Sequence, residues 1–232
     1  AVGLIAFAFI ERGAGEAALV PGDVLGNRQF AAACAATLMI SAIFFSALVF
    51  LPQFMAKQLG YDAMGAGAGL LPMMGVFALT SFVAGPLYNR VGPKLIVGAG
   101  ALFLAAGIFM LSRLDAGNAY PDLVPGMVVL GIGVGLFYSS VTTAGITAID
   151  PAKSSLAGAI IYMAQIAGGS IGLGLNTALV VTGASLADGI ATAFRVNAGL
   201  AIAGFVIVVL FIGGKVDRER IAGLIHHRRP HP

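Results

Sequence analysis

The chain has 232 residues, of which 59% are hydrophobic and only 10% charged, and its net charge is +3. An ordinary soluble domain carries about 25% charged residues, so this composition excludes a soluble globular protein and indicates an integral membrane protein. The small basic excess does not indicate a nucleic-acid partner, because the basic residues lie between long hydrophobic runs.

Six long apolar runs follow one another, separated by short polar segments. A helix needs about 20 apolar residues to cross a hydrocarbon core of about 30 Å. The sequence therefore predicts an all-α polytopic membrane protein, with a six-helix bundle over residues 30–213 as its main domain. The helices are predicted at 30–52, 64–86, 95–113, 122–147, 156–182 and 195–213.

A seventh apolar run, residues 1–10, precedes the bundle without a basic segment or a cleavage site of a signal peptide. We expect it to be the end of a truncated transmembrane helix, and the chain to be the C-terminal part of a longer protein. Residues 11–29 are then a cytoplasmic linker, and residues 214–232 a cytoplasmic basic tail.

The basic residues are distributed asymmetrically between alternate loops. If the tail is cytoplasmic, the segments on its side hold ten of the thirteen basic residues, and the other side holds Lys57, Arg113 and Arg195. Positive charge is retained in the cytoplasm. We therefore expect a multi-pass protein of the cell membrane with a cytoplasmic C-terminal tail and with external loops at 53–63 and 183–194.

Polar residues indicate which helices line a pathway. The third and sixth runs have almost none, so we expect these two helices to face lipid. In the fifth run, Tyr162, Gln165, Gly169, Gly172 and Asn176 are spaced three or four residues apart, which puts them on one helix face. Gln165 lies near the middle of the bilayer, where it either contacts a solute or serves as a hydrogen bond between helices.

The fourth and first runs supply further pathway candidates. Tyr138 and Thr142 continue a stripe that begins at Gly131 and Gly135, and Ser41 lies at the middle of its run. Polar groups in a bilayer tend to face a bundle interior or a cavity. In the second run, Pro72 predicts a helix kink, because it removes the hydrogen bond to the carbonyl four residues earlier.

Ionisable residues are missing from the middle of every complete run. A proton or ion relay needs such a group, and a membrane enzyme would show clustered His, Asp or Glu at one interface. We therefore predict no catalytic residue, no cofactor and no metal site. The histidines of the tail lack the carboxylate or cysteine partners that a zinc site would need.

Between the second and third runs the chain reads Gly-Pro-Leu-Tyr-Asn-Arg-Val-Gly-Pro-Lys over residues 85–94. This segment resembles the inter-helix signature of the major facilitator superfamily, as it stands in the C-terminal half of such proteins. Asn89 replaces the usual Asp and Pro93 the first basic residue, so the negative charge of the signature is missing. The matching residues are Gly85, Leu87, Arg90, Gly92 and Lys94.

Further segments resemble one branch of that superfamily. The pairs at 51–52 and 60–61, the segment 68–72 and the run 157–172 around Gln165 are similar to the fourteen-helix drug:proton antiporters of the QacA/EmrB type. The resemblance implies efflux of hydrophobic or amphipathic drugs by alternating access. It also implies protons as coupling ions, and a missing N-terminal helical half that carries the proton-binding acids. An importer of a small metabolite and a non-transporting membrane scaffold are the alternatives.

Overall fold

The computed structural model describes residue 24 and residues 26–212, and all regular secondary structure in this part is helical. The predictions for residues 1–10, for most of the linker and for the tail lie outside the described residues. Six helical segments are long and apolar enough to cross a membrane, with α2 and α3 together forming one of them. The helices are α1 (Arg28–Gln58), α2 (Ala63–Ala68), α3 (Leu71–Val91), α4 (Pro93–Leu111), α5 (Tyr120–Thr147), α6 (Ser154–Val181) and α7 (Leu186–Phe211), and a short 3-10 helix (Pro151–Lys153) precedes α6.

Short polar side chains begin several of these helices. The side chains of Asn27, Asp62 and Ser185 accept hydrogen bonds from backbone amides in the first turns of α1, α2 and α7. Such caps satisfy amides that have no partner within the helix. Between α3 and α4, Gly92 has a φ of 90°, a conformation that favours glycine. This angle lets α4 start at the next residue, Pro93.

Two helices are longer than their apolar runs. α1 continues through Pro52 to Gln58, and α7 begins at Leu186, nine residues before the predicted start at 195. The segments predicted as loops at 53–63 and 183–194 are therefore mostly helical. The two extensions contain charged residues, Lys57 and Asp188, so the apolar pattern breaks there although the helices continue. The buried side chains of Ile190 and Phe194 hold the extension of α7 on the bundle.

The second membrane-crossing segment is interrupted near Pro72. α2 ends at Ala68 and α3 begins at Leu71, so Pro72 lies in the first turn of α3. Proline has no amide hydrogen and cannot donate to the carbonyl of Ala68. The hydroxyl of Tyr120, at the start of α5, donates to the carbonyl of Gly69 at 3.1 Å. This bond supplies a partner for the backbone at the interruption.

The helices form two layers. α5 packs against α3 and α1, and α1 packs against α6, so α3, α5, α1 and α6 form a front layer in that order. α4 packs against α5 and α7, and α7 packs against α1, which makes α4 and α7 a back layer. The two helices predicted to face lipid are the two of the back layer.

Glycines allow close backbone contact between the helices. A Cβ atom added to Gly100 of α4 would lie 2.7 Å from the backbone nitrogen of Phe137 in α5. A Cβ atom at Gly172 of α6 would overlap Ala42 of α1. Small residues at such interfaces favour association in lipid, where packing replaces the hydrophobic effect as the driving force.

Candidate functional site

A buried hydrogen bond joins α1 and α5 inside the front layer. The hydroxyls of Ser41 and Tyr138 are 2.7 Å apart, and Ser41 is fully buried. The ring of Phe44 contacts the rings of Tyr138 and of Phe77 in α3, with both centroid distances at 5.9 Å. Aromatic rings from three helices thus meet beside the polar pair.

The fourth front helix, α6, contributes no ring but packs against Phe45 of α1. Phe45 packs edge-on against Phe44 at a centroid distance of 6.1 Å. A Cβ atom on Gly169 of α6 would lie 2.8 Å from the ring of Phe45, so the glycine leaves room for that ring. We call Phe44, Phe45, Phe77, Phe137 and Tyr138 the aromatic cluster. It connects all four helices of the front layer, and each aromatic pair contributes about 0.5–1.5 kcal/mol beyond its buried area.

Three of the predicted pathway residues remain accessible. Gln165 and Thr142 are half-buried, and Tyr162 is 62% exposed. Among the described residues, the amide of Gln165 has no hydrogen-bond partner. No hydrogen bond between helices is therefore seen for Gln165 within this part of the chain, and its role in the pathway stays a prediction.

Asn176 lies elsewhere, although it shares a helix face with Gln165 by spacing. Its side chain is fully buried and donates to the carbonyl of Gly172 at 2.7 Å and to the side-chain oxygen of Asn197 in α7 at 3.2 Å. It therefore joins the front layer to the back layer and does not line an open face. The sequence shows no sign of this pair, because Asn197 lies near the start of a run that has no polar residue after it.

The signature segment borders a small cavity between α3 and α5. The cavity has a volume of about 160 Å³, and the fully buried hydroxyl of Ser140 has no hydrogen-bond partner in the described part of the chain. Arg90 is exposed, and Lys94 is half-buried in the first turn of α4. This cavity was not predicted from the sequence. The sequence feature that could have indicated the cavity is the hydroxyl-rich segment at the end of the fourth apolar run. The lining residues are Ala84, Gly85, Tyr88, Asn89, Ser139, Ser140 and Thr143.

The carboxylates of the described residues lie at helix ends and in turns. Each accepts a hydrogen bond from a backbone amide nearby, which is a structural role. Within the described residues, no three His, Cys, Asp or Glu side chains form a group that could hold a metal ion. The acids concerned are Asp62, Asp115, Asp122, Asp150 and Asp188.

Comparison with known proteins gives relatives that are membrane transporters or resistance proteins. The chain is 28% identical over 218 residues to the puromycin resistance protein pur8 of Streptomyces alboniger, which covers 91% of this chain and 43% of that protein. It is 29% identical over 143 residues to the multidrug transporter protein MdtP of Bacillus subtilis, covering 62% of this chain and 26% of that protein. The chain thus spans less than half the length of these curated relatives.

A solved structure has the same fold. It is that of a bacterial homologue of the human drug peptide transporters PepT1 and PepT2, with a TM-score of 0.71 and 17% sequence identity. The match covers 86% of this chain and 47% of that one. The Major Facilitator Superfamily matches residues 33–229, which is most of the chain. On this match, and with six membrane-crossing helices in two layers, the chain belongs to the Major Facilitator Superfamily.

Proposed function

We propose that the chain is the C-terminal half of a proton-coupled transporter that exports hydrophobic or amphipathic drugs, of the fourteen-helix QacA/EmrB type. The names of the relatives, a puromycin resistance protein and a multidrug transporter, support drug export as the activity. The chain's share of their length supports its being one half of the transporter. The proposed role is transport and not catalysis.

The main support for this proposal is the exposed apolar side of the front layer. α3 and α6, at the two edges of this layer, expose large apolar side chains such as Phe82 (83%), Leu79 (68%) and Met163 (69%). We infer that an N-terminal helical half covers these edges. The central helices α1 and α5 then form one wall of a pathway between the two halves, with Thr142 and Gln165. The half-buried rings of the aromatic cluster, Phe45, Phe77 and Tyr138, belong to this wall, whereas Phe44 and Phe137 are buried behind it.

The chemistry of this wall favours amphipathic solutes. It offers aromatic rings, one unpaired amide and hydroxyl groups, and its described residues include no acid or base. Apolar pockets with a few polar groups suit drug-like molecules. Sugars or phosphates would need denser polar groups or a cation. In the proposed mechanism, the two halves rock around the solute site, and acids in the other half carry the protons.

Substitution of Gln165 in the full-length protein tests the pathway. We expect Gln165→Ala to change the drug-resistance profile while the amount of protein in the membrane stays the same. Thr177→Ala is the matched control, because Thr177 lies on the same helix and its hydroxyl donates to the carbonyl of Leu173 in its own helix. A loss of resistance that only follows a loss of expression would contradict a solute contact and favour a packing role.

The direction and coupling of transport need a separate measurement. In everted membrane vesicles that contain the full-length protein, we expect an imposed proton gradient to drive drug into the vesicle lumen, and a protonophore to abolish this uptake. An importer would move its solute in the opposite direction, and a scaffold would move none. Uptake that persists with the protonophore would contradict proton coupling.

A further inference from the structure

α7 carries one basic residue at the end of a row of exposed apolar side chains. Arg195 is exposed and lies nine residues after Leu186, where the helix begins. Ile202, Val206 and Leu210 follow seven, eleven and fifteen residues later, which puts all four on one side of the helix. The three apolar side chains are 56%, 45% and 68% exposed.

The other sides of α7 are occupied by neighbouring helices. Asn197 faces α6 through its hydrogen bond. A Cβ atom added at Gly204 would lie 3.4 Å from the side chain of Ile40 in α1. A Cβ atom added at Gly98 of α4 would lie 3.5 Å from the ring of Phe205. The side with Arg195 is thus the side that no described helix covers. In a membrane, this side contacts lipid.

The register of α4 and α7 gives the depth of Arg195. Gly98 of α4 contacts Phe205 of α7. Counted from this contact toward the α6–α7 loop, Arg195 is ten residues along α7 and Phe109 is eleven residues along α4, so they lie about 15 Å and about 17 Å further out at about 1.5 Å per residue. Arg195 is therefore level with Phe109, about one turn inside Arg113 at the end of α4. A long arginine side chain at this depth extends toward the head groups while its stem stays in the apolar region.

The charge of Arg195 has no ion-pair partner among the described residues. The acid of the same helix, Asp188, accepts a hydrogen bond from the amide of Ala184 in the preceding loop. A second cation lies nearby in depth, since the guanidinium of Arg113 is 4.7 Å from the ring centre of Phe109. A cation that faces lipid is costly unless it finds an anion, and at this level the available anion is a lipid phosphate.

We propose that Arg195 binds the phosphate group of an anionic phospholipid whose acyl chain lies along Ile202 and Val206. Arginine suits this partner, because its planar guanidinium donates two parallel hydrogen bonds to one phosphate. The lipid belongs to the leaflet at the α6–α7 loop. The site is separate from the front layer and does not depend on the proposed transport activity.

A fluorescence experiment on the 232-residue chain tests this site. The chain has no tryptophan, so Ile202→Trp introduces a single reporter beside the proposed acyl chain. The chain is reconstituted in phosphatidylcholine bilayers that contain either brominated phosphatidylglycerol or brominated phosphatidylcholine. We expect phosphatidylglycerol to bind about fivefold more strongly, as estimated for one basic residue near an anionic lipid, and therefore to quench the reporter at lower mole fractions.

Variants test whether the preference for phosphatidylglycerol depends on Arg195. Arg195→Gln should reduce the ratio of the two binding constants to about one, and Arg195→Lys should retain part of it, because the charge remains. Lys57→Gln is the matched control: it removes an exposed cation from α1, outside the row on α7, and should leave the ratio unchanged. If Arg195→Gln does not insert in the bilayer, the reporter chain and Arg195→Lys still decide the result.

Three results would overturn the proposal. The first is equal quenching by the two lipids in the reporter chain, and the second is a preference that survives Arg195→Gln. The third is a preference that millimolar inorganic phosphate abolishes, because the site would then bind a soluble anion and not a lipid.

Discussion

A methyl group added at Gly172 tests the packing of α6 on α1. The new Cβ atom would overlap the Cα and Cβ atoms of Ala42 and lie 3.0 Å from its carbonyl carbon. Backbone atoms cannot move aside as a flexible side chain can, so the two helices would have to separate. At Gly174, two residues later on the same helix, no atom of another helix lies within 4 Å of the corresponding position. Gly174→Ala is therefore the matched control for Gly172→Ala.

The difference between the two variants isolates the contact with α1. Both exchanges improve helix propensity by about 1 kcal/mol, and this gain cancels in the comparison. Overpacking of a close contact costs about 1–3 kcal/mol. For a chain of this size, 1 kcal/mol shifts the melting temperature by about 2–4 °C. We therefore expect Gly172→Ala to melt about 2–12 °C below Gly174→Ala.

Thermal unfolding in detergent measures this difference. Each variant is heated in steps, and the remaining monodisperse protein is quantified by size-exclusion chromatography. The original chain is measured beside them, because Gly174→Ala should melt at the same temperature or slightly above it. Equal melting temperatures for the two variants, or a higher one for Gly172→Ala, would show that α1 and α6 are not in backbone contact at this glycine.

Three further predictions concern buried polar groups and topology. Tyr138→Phe leaves the buried serine hydroxyl of α1 without its partner, so we expect a loss of about 1–3 kcal/mol in unfolding free energy; an unchanged stability would refute the pairing. Asn176→Leu and Asn197→Leu should each destabilise the chain, because each removes the hydrogen bond between the two buried side chains and leaves the remaining amide without its partner in the other helix, whereas the double variant should lose less than the sum of the two. Strictly additive losses, measured by unfolding in detergent, would argue against their hydrogen bond. In intact cells and a cysteine-free background, a cysteine at Ala119 should react with an impermeant thiol reagent and one at Ala152 should not; the reverse pattern would invert the proposed topology.

The number and order of the membrane-crossing segments within residues 26–212, and their helical class, follow from the sequence alone. A long apolar run is stable in a bilayer only when its backbone groups bond within the run itself, which requires a helix. This requirement is local, so six runs predict six membrane-crossing helices without knowledge of their contacts. The position of Gly92 is also local, because the turn from α3 into α4 needs a residue with a positive φ. The resemblance of residues 85–94 to a family signature likewise needs no tertiary information.

The partners of the polar residues are decided by the tertiary structure. Spacing places Gln165 and Asn176 on one face of α6, yet Asn176 is buried against α7 and Gln165 has no hydrogen-bond partner in the described part. Helices that cross at an angle meet different neighbours along one face, so a shared face does not imply a shared environment. The bond between Ser41 and Tyr138 likewise joins residues 97 positions apart. Such a contact depends on the rotation and register of two helices, which the packing of glycines and aromatic rings across the whole bundle sets.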